Sequence, residues 1–158
     1  KKDLHRSNKV VFDLDPPEDS FEKVKEAAEA IGDFLRNKNK KPKLMTTGKS
    51  GFHVWYSVQR TKSYDDRREE VKYLTEKMRD KHPNLLTTAT RKENRGDKVF
   101  VDYLRNAYGQ TSVCPYSLRP KHSAGVATPI EWEELSKIDQ PDQYSLSNIF
   151  RRLGQKGN

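Results

Sequence analysis

The sequence predicts an α/β or α+β layer architecture, and three observations carry that reading. Residues 10–15, Val-Val-Phe-Asp-Leu-Asp, form a β-branched and aromatic run closed by Pro16-Pro17. Apolar residues at helical spacing follow it directly. A second hydrophobic run with a single acid, residues 98–103, lies well downstream. Strands and helices alternating in this way pack as layers around one core.

The first run organises the rest. Alternate side chains of a strand point to opposite faces, so Val10, Phe12 and Leu14 share one face and Val11, Asp13 and Asp15 the other. Two neighbouring carboxylates repel unless a positive charge lies between them. After the proline pair, Asp19 and Glu22 are placed as a capping box. Phe21, Val24, Ala28, Ile31 and Leu35 then predict a helix over about residues 20–37. Residues 38–43 form a basic connector.

Residues 44–46 and 53–58 read as two strands of a hairpin, joined by the turn Thr47-Gly48-Lys49-Ser50-Gly51. Ser63 is positioned to cap a helix carrying Val71, Leu74 and Met78 that ends before Pro83. Residues 85–96 show no period. Residues 98–103 then predict a strand with Phe100, Asp102 and Leu104 on one face, and residues 110–117 another strand. Thr128, Pro129 and Glu131 have the spacing of a helix start, with Thr as cap and Pro at the first position; that helix is expected to run to about Lys137. A last helix is expected near residues 145–153.

Length and composition bound the function. A chain of 158 residues suits one domain with a real core. Lys and Arg number 31 against 23 acidic residues, a formal charge of +8 that suits a polyanionic partner such as nucleic acid. One cysteine, Cys114, excludes an internal disulfide and a cysteine-built metal site. No run approaches transmembrane length and none reads as a signal peptide, so a cytoplasmic protein is expected, with no membrane partner. The missing initiator Met suggests a processed or excised fragment.

Three acids carry candidate chemistry: Asp13 and Asp15 on one strand, Asp102 on another. Carboxylates on rigid strands are the ligands that hard divalent ions require, and two-metal phosphoryl or nucleotidyl transfer needs such a group. The turn from Thr47 to His53 is the second candidate. Its glycines allow close backbone approach to phosphate, Lys49 adds charge, Thr47 and Ser50 add hydroxyls, and His53 adds a ring donor. It lacks the glycine spacing of a Walker A loop. Arg95 and Arg119 flank the third acid and suit bidentate phosphate binding.

These segments resemble, in order, the three motifs of the archaeo-eukaryotic primase superfamily. The motifs are Asp13-Leu14-Asp15-Pro16, Thr46-Thr47-Gly48-Lys49-Ser50-Gly51-Phe52-His53 and Val99-Phe100-Val101-Asp102-Tyr103-Leu104-Arg105-Asn106. The likeness is greatest to the polymerase domain of bacterial ligase D and its stand-alone archaeal relatives in non-homologous end joining. Cys114–Arg119 and Ala127–Trp132 extend it. The resemblance implies an antiparallel or mixed sheet like that of an RNA-recognition motif. It implies two divalent ions, Mn²⁺ or Mg²⁺, held by Asp13, Asp15 and Asp102. It implies triphosphate contacts from Thr47, Gly48, Lys49, Ser50 and His53, and from Arg95 and Arg119. The implied activity is template-dependent addition of nucleotides, with ribonucleotides preferred, to a primer 3′-hydroxyl at gapped or broken DNA. A DNA ligase and an end-binding protein are the implied partners.

Two departures stand out. Ser50 occupies a place where the family usually has Lys or Arg, with Lys49 one position earlier. The family's long region before the first motif has no counterpart ahead of Asp13, so residues 1–158 are expected to form one catalytic domain, either a fragment or a minimal relative. Two other readings fit the residues. One is a non-catalytic nucleic-acid-binding module using Trp55, Tyr56 or Tyr103 for stacking. The other is an Asp-x-Asp phosphatase of the haloacid dehalogenase type, against which Pro16-Pro17 argues.

Overall fold

A computed structural model describes residues 5–17, 20–120 and 123–156. Its sheet holds strands β1 (Lys9–Asp15), β2 (Lys43–Thr46), β3 (Phe52–Ser57), β4 (Leu86–Thr87), β5 (Val99–Asp102) and β6 (Thr128–Ile130). The spatial order is β4-β5-β1-β3-β2-β6. Every neighbouring pair is antiparallel except β4–β5, which is parallel. Helix α1 (Phe21–Arg36) follows β1, α2 (Tyr64–Lys81) follows β3, and α3 (Ile149–Lys156) ends the fold. The central order β5-β1-β3-β2, with α1 and α2 as crossovers, is the βαββαβ arrangement of an RNA-recognition motif, as expected. No helix of the described residues is long and apolar enough to cross a membrane.

The strand alternation sorts the residues onto two faces. Val10, Phe12 and Leu14 are fully buried. With Val54, Tyr56 and Val101 they meet Val24, Ala28, Ile31 and Leu35 of α1 and Val71 and Met78 of α2 in one core. Each fully buried side chain of this size contributes about 1.5–3 kcal/mol. The opposite face carries Val11, Asp13 and Asp15, with Trp55 and His53 opposite Val11 and Asp13 on β3. Helices α1 and α2 thus cover one face of the sheet and leave the other to the polar residues.

Several expectations are corrected. Thr128-Pro129-Ile130 is not a helix start but the edge strand β6, which among the described residues pairs only with β2. Proline lacks an N–H to donate, and an edge position tolerates that. The helical turn begins later, at Trp132–Lys137, where Glu131 and Glu134 form the capping box. Residues 110–117 form no strand of the sheet. They form an irregular segment, tied to Ala127 by Tyr116 N–H to the Ala127 carbonyl (2.6 Å) and Ala127 N–H to the Ser117 carbonyl (3.0 Å). The period-free stretch contains the two-residue strand β4, too short to show alternation.

Helix α2 is capped as expected, Ser63 accepting from the Asp66 N–H. The Asp19 part of the proposed capping box lies outside the described residues; the N-cap of α1 is Ser20, with no side-chain cap bond. The last helix starts at Ile149 and runs through Gly154 to Lys156. Tyr56, considered for base stacking, faces the helices and is 2% exposed. Tyr103 packs against the core. Trp55 does lie on the polar face, between the ammonium groups of Lys9 (4.4 Å) and Lys43 (4.9 Å).

Candidate active site

Sheet register brings the acids together. Asp13 stands directly opposite Asp102 across β1–β5, and Asp15 opposite Phe100. Opposite residues of an antiparallel pair share a face, so all three carboxylates lie on the face away from the helices. Asp13 is opposite His53 on its other side. The His53 Nε2 atom lies 3.2 Å from Asp13 Oδ1. His53 is almost fully buried, and its Nδ1 has no hydrogen-bond partner among the described residues.

Arg105 closes the group. Its Nε lies 3.4 Å from Asp13 Oδ2 and 3.2 Å from Asp102 Oδ2. Sequence reasoning missed this residue, although it stands inside the third motif. A signal was present: Arg105 follows Asp102 by three residues, and the short turn Leu104–Asn106 returns it to the acid. Asn106, also missed, fixes that turn. Its amide accepts from the Val11 N–H (2.9 Å) and donates to the Val11 carbonyl (2.7 Å), completing the edge of β1 where β5 has ended. Asp102 Oδ1 meanwhile accepts from the Leu104 N–H at 2.8 Å.

The charges shift the acids in opposite directions. Burial alone would raise the Asp13 carboxyl, but the His53 hydrogen bond and charge and then the Arg105 guanidinium hold it below the usual carboxylate range. Asp15 is raised by burial, then by the charges of Asp13 and Asp102, against the weaker pull of Arg95 and Arg105. Among the described residues no three His, Cys, Asp or Glu side chains converge on one point close enough to hold a metal ion. Donor type and excess negative charge at Asp15 suit a divalent cation; the Arg105 side chain takes the position between Asp13 and Asp102.

A cavity of about 390 Å³ opens beside the acids. Asp13, Asp15, His53, Thr47, Lys49 and Ser50 line it, with Arg105, Arg119 and the irregular segment Thr111–Val113. Asp102 is adjacent, behind Arg105, and is not on the cavity wall. The turn is built tightly. The Ser50 and Gly51 N–H groups both donate to Thr47 Oγ1, at 3.3 and 3.2 Å, so these amides point inward and not at the cavity. A Cβ on Gly51 would lie 1.9 Å from the Leu14 carbonyl oxygen. Gly48 has φ +66°, and a Cβ there would lie 2.7 Å from the Val126 backbone and 2.9 Å from that of Ala127, so only glycine lets the turn lie this close to that segment. Arg119 Nη1 reaches the Thr47 carbonyl at 3.4 Å.

Arg95 is not in this cavity. Its guanidinium stacks on Phe100 at 3.8 Å and donates to the carbonyls of Ala89 (3.0 Å) and Thr90 (2.9 Å). With Pro16, Pro17 and Lys92 it lines a neighbouring groove beyond Asp15.

The whole chain, residues 1–158, matches the family model described as the LigD primase-polymerase domain. It is 30% identical over 156 residues to the bifunctional non-homologous end joining protein LigD of Bacillus subtilis, covering 96% of this chain and 25% of that protein. It is 28% identical over 153 residues to the multifunctional LigD of Pseudomonas aeruginosa, covering 96% and 18%. The polymerase domain of Mycobacterium tuberculosis ligase D in complex with DNA superposes with a TM-score of 0.88 at 29% identity, over 97% of this chain and 53% of that one. The chain thus spans a quarter or less of these LigD relatives and about half of the solved domain.

Proposed function

Because this chain belongs to the LigD primase-polymerase domain family, we propose that residues 1–158 act as a catalytic domain for template-dependent nucleotidyl transfer. A primer 3′-hydroxyl at gapped or broken DNA attacks the α-phosphate of a nucleotide, and pyrophosphate leaves, in repair by non-homologous end joining. The observation that carries this reading is the placement of Asp13, Asp15 and Asp102 on one sheet face beside a cavity lined by the cations Lys49, Arg105 and Arg119 and the hydroxyls of Thr47 and Ser50.

Asp13, Asp15 and Asp102 would hold the divalent ions, Mn²⁺ or Mg²⁺, which when bound supply a more acidic 3′-hydroxyl and charge neutralisation at the leaving phosphates. Arg105, which now bridges Asp13 and Asp102, would have to leave the acid pair for both carboxylates to hold an ion. His53, through Nε2, holds Asp13 Oδ1 in place. Lys49 and Arg119 stand on the cavity wall and bind the triphosphate by charge-assisted hydrogen bonds. Thr47 and Ser50 expose polar atoms there, while the Thr47 hydroxyl oxygen also fixes the turn. Ribonucleotides are the expected substrates. The relative solved in complex with DNA supports nucleic acid as the partner, and LigD relatives that are multifunctional support a ligase acting with this domain.

The test is extension of a labelled primer on a gapped duplex with Mn²⁺, comparing ribo- and deoxyribonucleotides. The wild type is expected to extend, more with ribonucleotides, and Asp13→Ala to lose extension. Undiminished extension by Asp13→Ala would sink the catalytic assignment. DNA binding without incorporation by the wild type would instead favour a non-catalytic binding module.

A further inference from the structure

A second cavity, of about 540 Å³, lies on the helix face of the sheet. Its walls come from the connector after α1 (Lys40, Lys41), the end of β3 (Tyr56, Ser57), Lys62 just before α2, and the first turns of α2 (Arg67, Glu70). Tyr56 and His53 lie three residues apart on β3 and project to opposite faces, so this cavity and the acid site are separated by the sheet itself.

Four cations meet one carboxylate here. Glu70 pairs with both Lys62 (2.9 Å) and Arg67 (2.8 Å). Lys40 and Lys41 have no carboxylate within ion-pair distance among the described residues. The Lys40 ammonium sits 5.6 Å from the Tyr56 ring centroid. Lys43 also borders the cavity, but its ammonium lies over Trp55 on the other face.

Two donors are left over. Arg67 is only 4% exposed, and its Nε has no hydrogen-bond partner although Nη1 and Nη2 are engaged. The buried Tyr56 hydroxyl is likewise unpartnered. Burial pushes that phenol up to about 12, so it remains a protonated donor. A buried donor without a partner is unfavourable until an acceptor reaches it. Two of them beside an excess of cations is the chemistry of a site for a polyvalent oxyanion.

We propose that this cavity is a second phosphate-binding site, holding one tetrahedral phosphate group on the sheet face opposite the acids. The group can come from a nucleic-acid backbone or from free phosphate.

The experiment titrates the full chain, without metal, with inorganic phosphate by calorimetry and with a DNA duplex by anisotropy across salt. The variants are Lys40→Ala/Lys41→Ala, Tyr56→Phe and, for the acid-site cavity, Lys49→Ala. If free phosphate is the source, a saturable phosphate-binding component is weakened about tenfold in Lys40→Ala/Lys41→Ala and persists in Lys49→Ala, which can alter only binding at the acid-site cavity. If backbone is the source, the same variant shows weaker DNA binding and a log–log salt slope reduced by about 0.9 for each backbone phosphate no longer neutralised. In either case Tyr56→Phe weakens the anion binding while leaving the ligand-free protein at least as heat-stable, an outcome that a purely structural phenol would not give. Equal phosphate and DNA affinities in wild type and both cavity variants would overturn the proposal and leave the cavity to water.

Discussion

Asp13 and Asp102 stand directly opposite each other in the β1–β5 ladder, and one guanidinium, Arg105, lies within 3.4 Å of both. Like charges across an antiparallel pair are destabilising. The protein therefore carries its own cation at the point where a catalytic ion is proposed.

Arg105→Ala removes that cation. The metal-free variant is expected to lose about 1 kcal/mol of stability, since the guanidinium is partly solvated. Added Mn²⁺ then raises its melting temperature more than that of the wild type, because the ion no longer displaces a side chain. Thermal melts with and without Mn²⁺ check this; equal Mn²⁺ shifts in the two proteins would remove Arg105 from the role.

Asp15 gives a pH prediction. Its folded value is raised, so ionisation opposes folding. The penalty is absent below the ordinary aspartate value, about 3.9, and complete above the raised folded value. Asp15→Asn is expected to be neutral near pH ~3 and stabilising at pH ~7, within the about 0.5–2 kcal/mol common for stabilising changes, at the cost of activity. Urea unfolding at the two pH values measures it. Asp13 has the opposite sign: its folded value is lowered, so its contribution is present above about pH 3.9 and lost as pH falls through the lowered value.

Asn106→Ala strips both backbone bonds from Val11 at the end of the β5 ladder. Leaving a buried N–H and C=O unmet is expected to cost about 2–3 kcal/mol, read as a lower urea midpoint. The same change frees the turn that aims Arg105, so Mn²⁺ affinity should shift with stability. A variant as stable as the wild type would mean the clamp is dispensable.

Much of this arrangement was legible from residue pattern. The alternation in residues 10–15 put Asp13 and Asp15 on the face away from Val10, Phe12 and Leu14, and the sheet keeps them there. The spacing of Val24, Ala28, Ile31 and Leu35 marked α1, and Ser63 marked the start of α2. What failed depends on pairing, which no local pattern encodes. Pro129 has the same spacing before Glu131 whether it opens a helix or sits on a sheet edge; only the partner β2 decides. Thr111 and Val113 alternate as a strand would, yet no free edge receives them, and they become cavity wall. Arg105 and Asn106 sat in a recognised motif, but their tasks require knowing that β5 ends opposite Asp13.

The two flanking arginines should behave differently. Arg119→Ala and Lys49→Ala each remove a cation from the acid-site cavity and are expected to weaken triphosphate binding about tenfold, near 1.4 kcal/mol. Arg95 is held by Phe100 and the Ala89 and Thr90 carbonyls outside that cavity, so Arg95→Ala should change nucleotide affinity less. Titration with a fluorescent nucleotide ranks them. An Arg95→Ala loss as large as that of Arg119→Ala would place the triphosphate nearer the Pro16–Pro17 groove.

The most direct measurement is Mn²⁺-dependent incorporation of a labelled nucleotide by the wild type and by Asp102→Asn. Asparagine retains an oxygen to accept from the Leu104 N–H, so the fold is kept while one negative charge is removed. The wild type is expected to incorporate, and the variant to lose at least about a hundredfold in rate with an unchanged melting temperature. Incorporation at the wild-type rate by folded Asp102→Asn would contradict the catalytic role of the three acids.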